Sequence, residues 1–373
     1  MIIYDFPNLV ALIIIIFVSF RIGLIPFWLS FFLGVFAFTP FFLNDVLFPA
    51  TLMSDQFAYL EATQYTRSFD FNSYFPPSIE ATGKIFAVMP LPYAETIQSL
   101  GFFNRLLASS IIIWLYTSKS LRGWALLFVL FYPSFLLYSS LALRDTIILL
   151  LMLLTVILFI EKRRMAAILV SSPLFLLKFQ NFFLLIVFFV IHLSFSKDSI
   201  FYRLRFFLLP VILASIIPFL PAIIESIDFY RYAFHVDDGG DPNMYIPMVT
   251  FGDFAITAIT SSPYFLLKPF PWEASNFLQL IQSFENILVA GFLIFIFTKA
   301  SHINNSITIK WVLFLLAAFS IYGIVVYNFG TAARYKFPFL VVGIVGLTYE
   351  LYLKHGKLIL NRAAKSKQNL KIE

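Results

Sequence analysis

The chain of 373 residues contains no cysteine, so disulfides, thiolate nucleophiles and cysteine metal sites are excluded. Histidine is also scarce, with 4 residues. No His/Glu pair has zinc spacing, and no glycine-rich phosphate cradle occurs. Charge is the largest deficit, because only 12% of residues are Asp, Glu, Lys or Arg. Soluble domains carry about 25%, so this chain has too little polar surface to fold in water. Disorder is excluded by the opposite property: 60% of residues are hydrophobic, 49 are Phe, and the mean hydropathy is +0.88. The expected class is an all-α polytopic membrane protein, with residues 1–373 forming a single transmembrane domain.

Apolar runs long enough to enter a bilayer lie at about 7–20, 24–43, 103–117, 122–142, 146–160, 165–177, 181–195, 206–226, 285–298, 311–329 and 337–353, which gives eleven expected spans. The first lacks a basic start and a small-residue cleavage site, so it reads as a span and not as a cleaved signal. Arg21 and Gly23 split the stretch 9–42 into two spans joined by a tight turn.

Eleven spans divide the connections into two sets. One holds 17 of the 26 basic residues and four acids (Glu161, Asp198, Glu350, Glu373), a net of +13. The other holds nine basic residues and 16 acids, a net of −7. The positive-inside rule places the first set in the cytoplasm, with the N-terminus outside and the C-terminus inside. Two long outer-face loops, about 44–102 and 227–284, are expected to carry short interfacial helices and function. The basic tail 354–373 stays cytoplasmic, as a contact for anionic lipid or a protein partner.

Cations on the acidic face are the informative charges. Arg144, Lys178 and Arg334 come from three sequence-distant places, each beside polar or turn-forming residues such as Ser139, Ser140, Asn328, Gly330 and Thr331. Singly they read as interfacial anchors, and jointly as a site for a phosphate or diphosphate. Asp55 is a candidate general base, with a helix N-terminal role as the alternative. Glu273 and Glu285 are further acids on the same face, and His235 is its only histidine. Asp237, Asp238, Gly239, Gly240 and Asp241 do not have calcium-loop spacing and read as a solvated turn. No charge falls near the middle of a span as drawn, which weighs against a pump or symporter.

Five segments resemble one family. They are Tyr132–Asp145, Ser54–Ala62, Pro269–Glu273, Ser283–Ile287 and Asn328–Leu340. They are similar to stretches of bacterial O-antigen and capsular polysaccharide polymerases, relatives of multi-span glycosyltransferases that use polyprenyl-linked donors. The resemblance implies an inner-membrane enzyme that transfers a glycan from its polyprenyl diphosphate carrier to a new lipid-linked repeat unit. Arg144, Lys178 and Arg334 would then hold the diphosphate, and Asp55, Glu273 or Glu285 would deprotonate the acceptor. Tyr59 and Trp272 would form a sugar platform. No cofactor or metal is implied. The partners would be the lipid-linked oligosaccharide, membrane lipids and a chain-length regulator, with no nucleic acid. A transferase adding one sugar from a polyprenyl monophosphate, and a flippase of lipid-linked oligosaccharide, are the alternatives.

Overall fold

The computed structural model describes residues 2–44, 46–47, 49–70, 75–196, 199–237, 241–326 and 328–369, and side chains only before 355 in the last of these. All regular structure among the described residues is helical. Among the described residues, four helices are long and apolar enough to cross a membrane: Tyr4–Arg21, Ile97–Thr117, Phe277–Gly323 and Phe329–Lys354. Phe179–Phe195 and Ile200–Leu208 add a fifth if counted together. Large apolar side chains such as Phe27 (68% exposed) and Phe206 (82% exposed) face outward along the helices, as lipid-facing residues do. The chain forms two compact units, residues 1–182 with 344–373, and residues 183–343.

The first unit begins with α1 (Ile2–Arg21). The Gly23 N–H bonds the Phe20 carbonyl and the Leu24 N–H bonds the Ser19 carbonyl, which closes the helix end. That closure needs a left-handed residue, and Gly23 supplies it at φ +78°. The apolar run 24–43 becomes α2 (Phe27–Phe36) and α3 (Thr39–Leu43). The segment 44–102 contains a 3₁₀ turn (Ala50–Met53), α4 (Asp55–Arg67) and α5 (Pro77–Ala87).

Helix α6 (Ile97–Thr117) starts at Thr96, whose hydroxyl accepts the Ser99 N–H. Asp5, fully buried, accepts hydrogen bonds from the Thr96 and Ser99 hydroxyls and ties the start of α1 to the start of α6. Next come α7 (Gly123–Phe131) and α8 (Pro133–Tyr138), separated at Tyr132 because a residue before proline is driven out of the helical region. Helix α9 (Asp145–Ile160) follows a non-helical stretch, residues 139–144. Helices α10 (Arg164–Ser171) and α11 (Leu174–Leu177) are separated at Pro173.

The second unit contains most of α12 (Phe179–Phe195), then α13 (Ile200–Ile216), a 3₁₀ turn (Ile217–Phe219), α14 (Leu220–Asp237), a second turn (Pro242–Met244) and α15 (Phe251–Leu267). Helix α16 (Phe277–Gly323) has non-helical backbone at Asn304. The Asn304 carboxamide accepts the Ile307 N–H, so it caps the second half as a new helix. The apolar runs 285–298 and 311–329 therefore lie on either side of a real break. The core includes Phe188, Trp311 and Phe314, with Phe265 stacked near Tyr322 and Phe339. Helix α17 (Phe329–Asn369) opens at Asn328, whose side chain accepts the Gly330 N–H. Its later residues belong to the first unit, where Thr348 donates to the Ser120 carbonyl and Tyr349 to Glu161.

Candidate functional site

Buried polar side chains gather at the break between α8 and α9. Ser139, Ser140, Leu141, Ala142 and Leu143 are all buried, although their backbone is not helical. Such backbone survives at membrane depth only when protein groups satisfy it. Helix α6 supplies several of them. The Asn104 carboxamide donates to the carbonyls of Leu141 and Leu143, at 2.6 Å each. Arg105 donates through Nη1 to the Ser139 hydroxyl at 2.8 Å. Gly101 faces the same stretch one helical turn earlier, where an added β-carbon would lie 2.5 Å from the Ser140 carbonyl oxygen. From α4, Gln56 accepts the Ala142 N–H at 2.9 Å and is itself held by Asn44. Ser140 pairs with Thr39 at 2.6 Å.

This scaffold presents Arg144 and Asp145 at the start of α9. Asp145 is fully buried in the first turn, where the helix dipole favours an anion. Lys178, 7% exposed at the end of α11, places Nζ 3.7 Å from the Asp145 carboxylate. Arg144 is half-buried over the Tyr59 ring, 5.9 Å from its centroid. Its Nε and Nη1 are buried and make no hydrogen bond among the described residues. Arg144, Lys178 and Tyr59 are thus gathered on the first unit. Asp55 belongs to the same unit and is exposed at the first position of α4. The preceding Ser54 makes no side-chain cap there.

Hydropathy starts the third span at 103, whereas the helix starts at Ile97. The extension makes Arg105 an interior residue of α6, and it is fully buried. The expectation of a span interior without charge is corrected here: polar Gln98, Ser99 and Asn104 belong to the helix because they face protein, not lipid. The signal in the sequence was the spacing Gly101, Asn104, Arg105, three polar or small residues on one face of an apolar helix.

The remaining predicted residues lie in the second unit. Lys336, 2% exposed, donates to the Asn286 side chain at 2.6 Å and to the Leu266 carbonyl at 3.1 Å. Glu285, buried beside Asn286, attracts the same ammonium. Arg334 is buried at 7% exposure near the Tyr335 ring. Glu273 is exposed, pairs with Lys268 at 3.1 Å and accepts the Phe270 N–H. These contacts, the Phe270 N–H first and Lys268 second, hold its carboxyl below the ordinary value. Trp272 is 79% exposed and stacks on Phe270 with ring centroids 4.9 Å apart.

His235 contacts the Asp241 carbonyl at 3.1 Å and the Tyr245 ring, and Asp241 accepts the Asn243 N–H. Of the acidic turn, Asp238, Gly239, Gly240 and the Asp237 side chain lie outside the described residues, as do Lys197, Asp198, Lys371 and Glu373. No group of three or more His, Asp or Glu with metal-holding geometry occurs among the described residues.

Comparison with family models, with curated proteins and with solved structures finds no match to this chain.

Proposed function

We propose that the protein is a membrane glycosyltransferase that extends a saccharide carried on a polyprenyl diphosphate, at the outer face of the bacterial inner membrane. One observation carries this reading. Arg144 presents two buried guanidinium nitrogens without hydrogen-bond partners among the described residues, on a braced helix break and next to Asp145, which Lys178 approaches at 3.7 Å. Buried guanidinium nitrogens left unsatisfied are costly, and an anionic group of phosphate geometry satisfies them bidentately. The five-segment resemblance supports the same carrier chemistry.

In the proposed reaction the acceptor hydroxyl oxygen attacks the anomeric carbon of the donor glycan. The bond between that carbon and the diphosphate oxygen breaks, and the diphosphate leaves with the bonding electron pair. Arg144 and Lys178 stabilise the charge that grows on it. Asp55 takes the hydroxyl proton. It is preferred over Glu273 and Glu285 because it belongs to the same unit as Arg144 and Lys178 and is exposed at the start of α4. Arg334 lies buried in the second unit and is given no role in this step.

The topology that goes with this reading has eleven spans, the N-terminus outside and the C-terminus in the cytoplasm. The full chain, purified and reconstituted with a polyprenyl diphosphate repeat unit, is expected to give a ladder of products. A single mass increment from a polyprenyl monophosphate donor would replace polymerisation by one-sugar transfer. Movement of the lipid across the bilayer at unchanged glycan length would overturn the transferase reading.

A further inference from the structure

The mechanism above leaves Arg105 unused. Its side chain is fully buried inside an apolar helix, between the rings of Phe36 and Phe135 at 5.6 and 5.9 Å. Nη1 bonds Ser139, while Nε and Nη2 have no hydrogen-bond partner among the described residues. No carboxylate pairs with it among those residues. A burial this complete is expensive for a cation. Structural bracing of the break does not require it, because Asn104 already grips Leu141 and Leu143, and Gln56 grips Ala142.

Charge arithmetic gives Arg105 a purpose. Arg144 and Lys178 are matched in charge by Asp145 and by Asp55, the proposed base on the same unit. Arg105 then supplies the one net positive charge of the site. A sugar joined to a polyprenol through a monophosphate carries a single negative charge, and one joined through a diphosphate carries one on each phosphate. In a low-dielectric interior a fixed charge acts over several ångströms without contact. We infer that Arg105 is the positioning residue that makes this site prefer a diphosphate-linked lipid to a monophosphate-linked one, through its field on the ligand and its hold on Ser139. The inference rests on the proposed carrier-binding role of Arg144 and Lys178.

The test is a binding titration of the full chain in nanodiscs against two probes, a polyprenyl diphosphate-linked repeat unit and a polyprenyl monophosphate-linked sugar. The wild type is expected to bind the diphosphate about tenfold more tightly or better, the size of a charged hydrogen bond. Arg105→Gln, neutral but still able to bond Ser139, should bring the ratio close to unity, and Arg105→Met should do the same. Arg105→Lys should keep the preference. Equal weakening of both probes in the neutral variants would make Arg105 merely structural and overturn the inference. Equal binding of both probes by the wild type would overturn it too, leaving the site itself standing. Failure of the wild type to bind either probe would remove the proposed function and this inference together.

Discussion

Gly101 lies so close to Ser140 that a β-carbon built on it would sit 2.5 Å from the Ser140 carbonyl oxygen. The obstacle is backbone, held in turn by Asn104 and Gln56 on its neighbours, so it cannot swing aside as a flexible side chain does. Gly101→Ala is expected to force α6 away from the break and to destabilise the protein by about 1–3 kcal/mol, the usual cost of overpacking. Thermal unfolding in detergent measures this. An unchanged melting temperature would mean that α6 and the break are not in close contact.

The Asp145–Lys178 pair is buried on both sides, so removing one partner strands the other. Asp145→Asn should cost about 3–5 kcal/mol. The double change Asp145→Asn with Lys178→Met should cost less than Asp145→Asn alone, since no uncompensated charge remains. Denaturant unfolding of the set checks the order. If the double variant is the least stable of all, the pair is not what holds α11 against the start of α9.

Glu273 offers a pH handle outside the membrane. Its folded carboxyl lies below the ordinary value of 4.5 because the Phe270 N–H and then Lys268 favour the charged form. A depressed folded value means that the local stabilisation is complete above 4.5 and is lost as pH falls through the lower folded value. The protection of the Phe270 amide, its exchange rate relative to the intrinsic rate at each pH, should therefore fall on acidification below 4.5 in the wild type. In Glu273→Gln that pH dependence should disappear. A wild-type Phe270 amide insensitive to acid would show that the carboxylate does not hold the loop.

The proposed orientation is open to reporter fusion. A cytoplasm-active reporter should work after Lys119, after Lys162 and in the turn containing Asn304, and an exported reporter should work after Gly240 and after Pro271. Activity of an exported reporter at Asn304 would invert the second unit, and would also reassign Glu273 and Trp272 to the cytoplasm.

Part of the helical layout is legible in hydropathy: the runs 7–20 and 103–117 fall within α1 and α6, and the split expected at Arg21 and Gly23 coincides with the end of α1, whereas four described helices, or five with one bent pair, are long and apolar enough to cross a membrane against eleven expected spans. The start of α6 was not legible, because hydropathy scores Gln98, Ser99 and Asn104 as solvent-facing when they are buried against protein. Arg105 vanished with it. Gln56 was hidden for a different reason: its partner, the Ala142 N–H, is 86 residues away, and a backbone donor leaves no mark in a sequence. Lys336 and Asn286 also meet only through tertiary folding, across 50 residues. Arg144 and Lys178 were visible because cations are rare on an otherwise acidic face, and rarity survives without knowledge of contacts.

Arg144 is the residue on which the proposed chemistry stands. Its guanidinium has two buried nitrogens without partners among the described residues, so deleting it should barely disturb the fold while removing the bidentate contact. Arg144→Ala is expected to lower chain elongation by about a hundredfold or more, on the scale of losing a donor that stabilises a leaving-group charge. Arg144→Lys keeps the charge but not the fork, and should recover only a small part of that loss. The readout is the length distribution of lipid-linked glycan from reconstituted variants, normalised to inserted protein. Full-length polymer from Arg144→Ala would remove the break between α8 and α9 from the catalytic site.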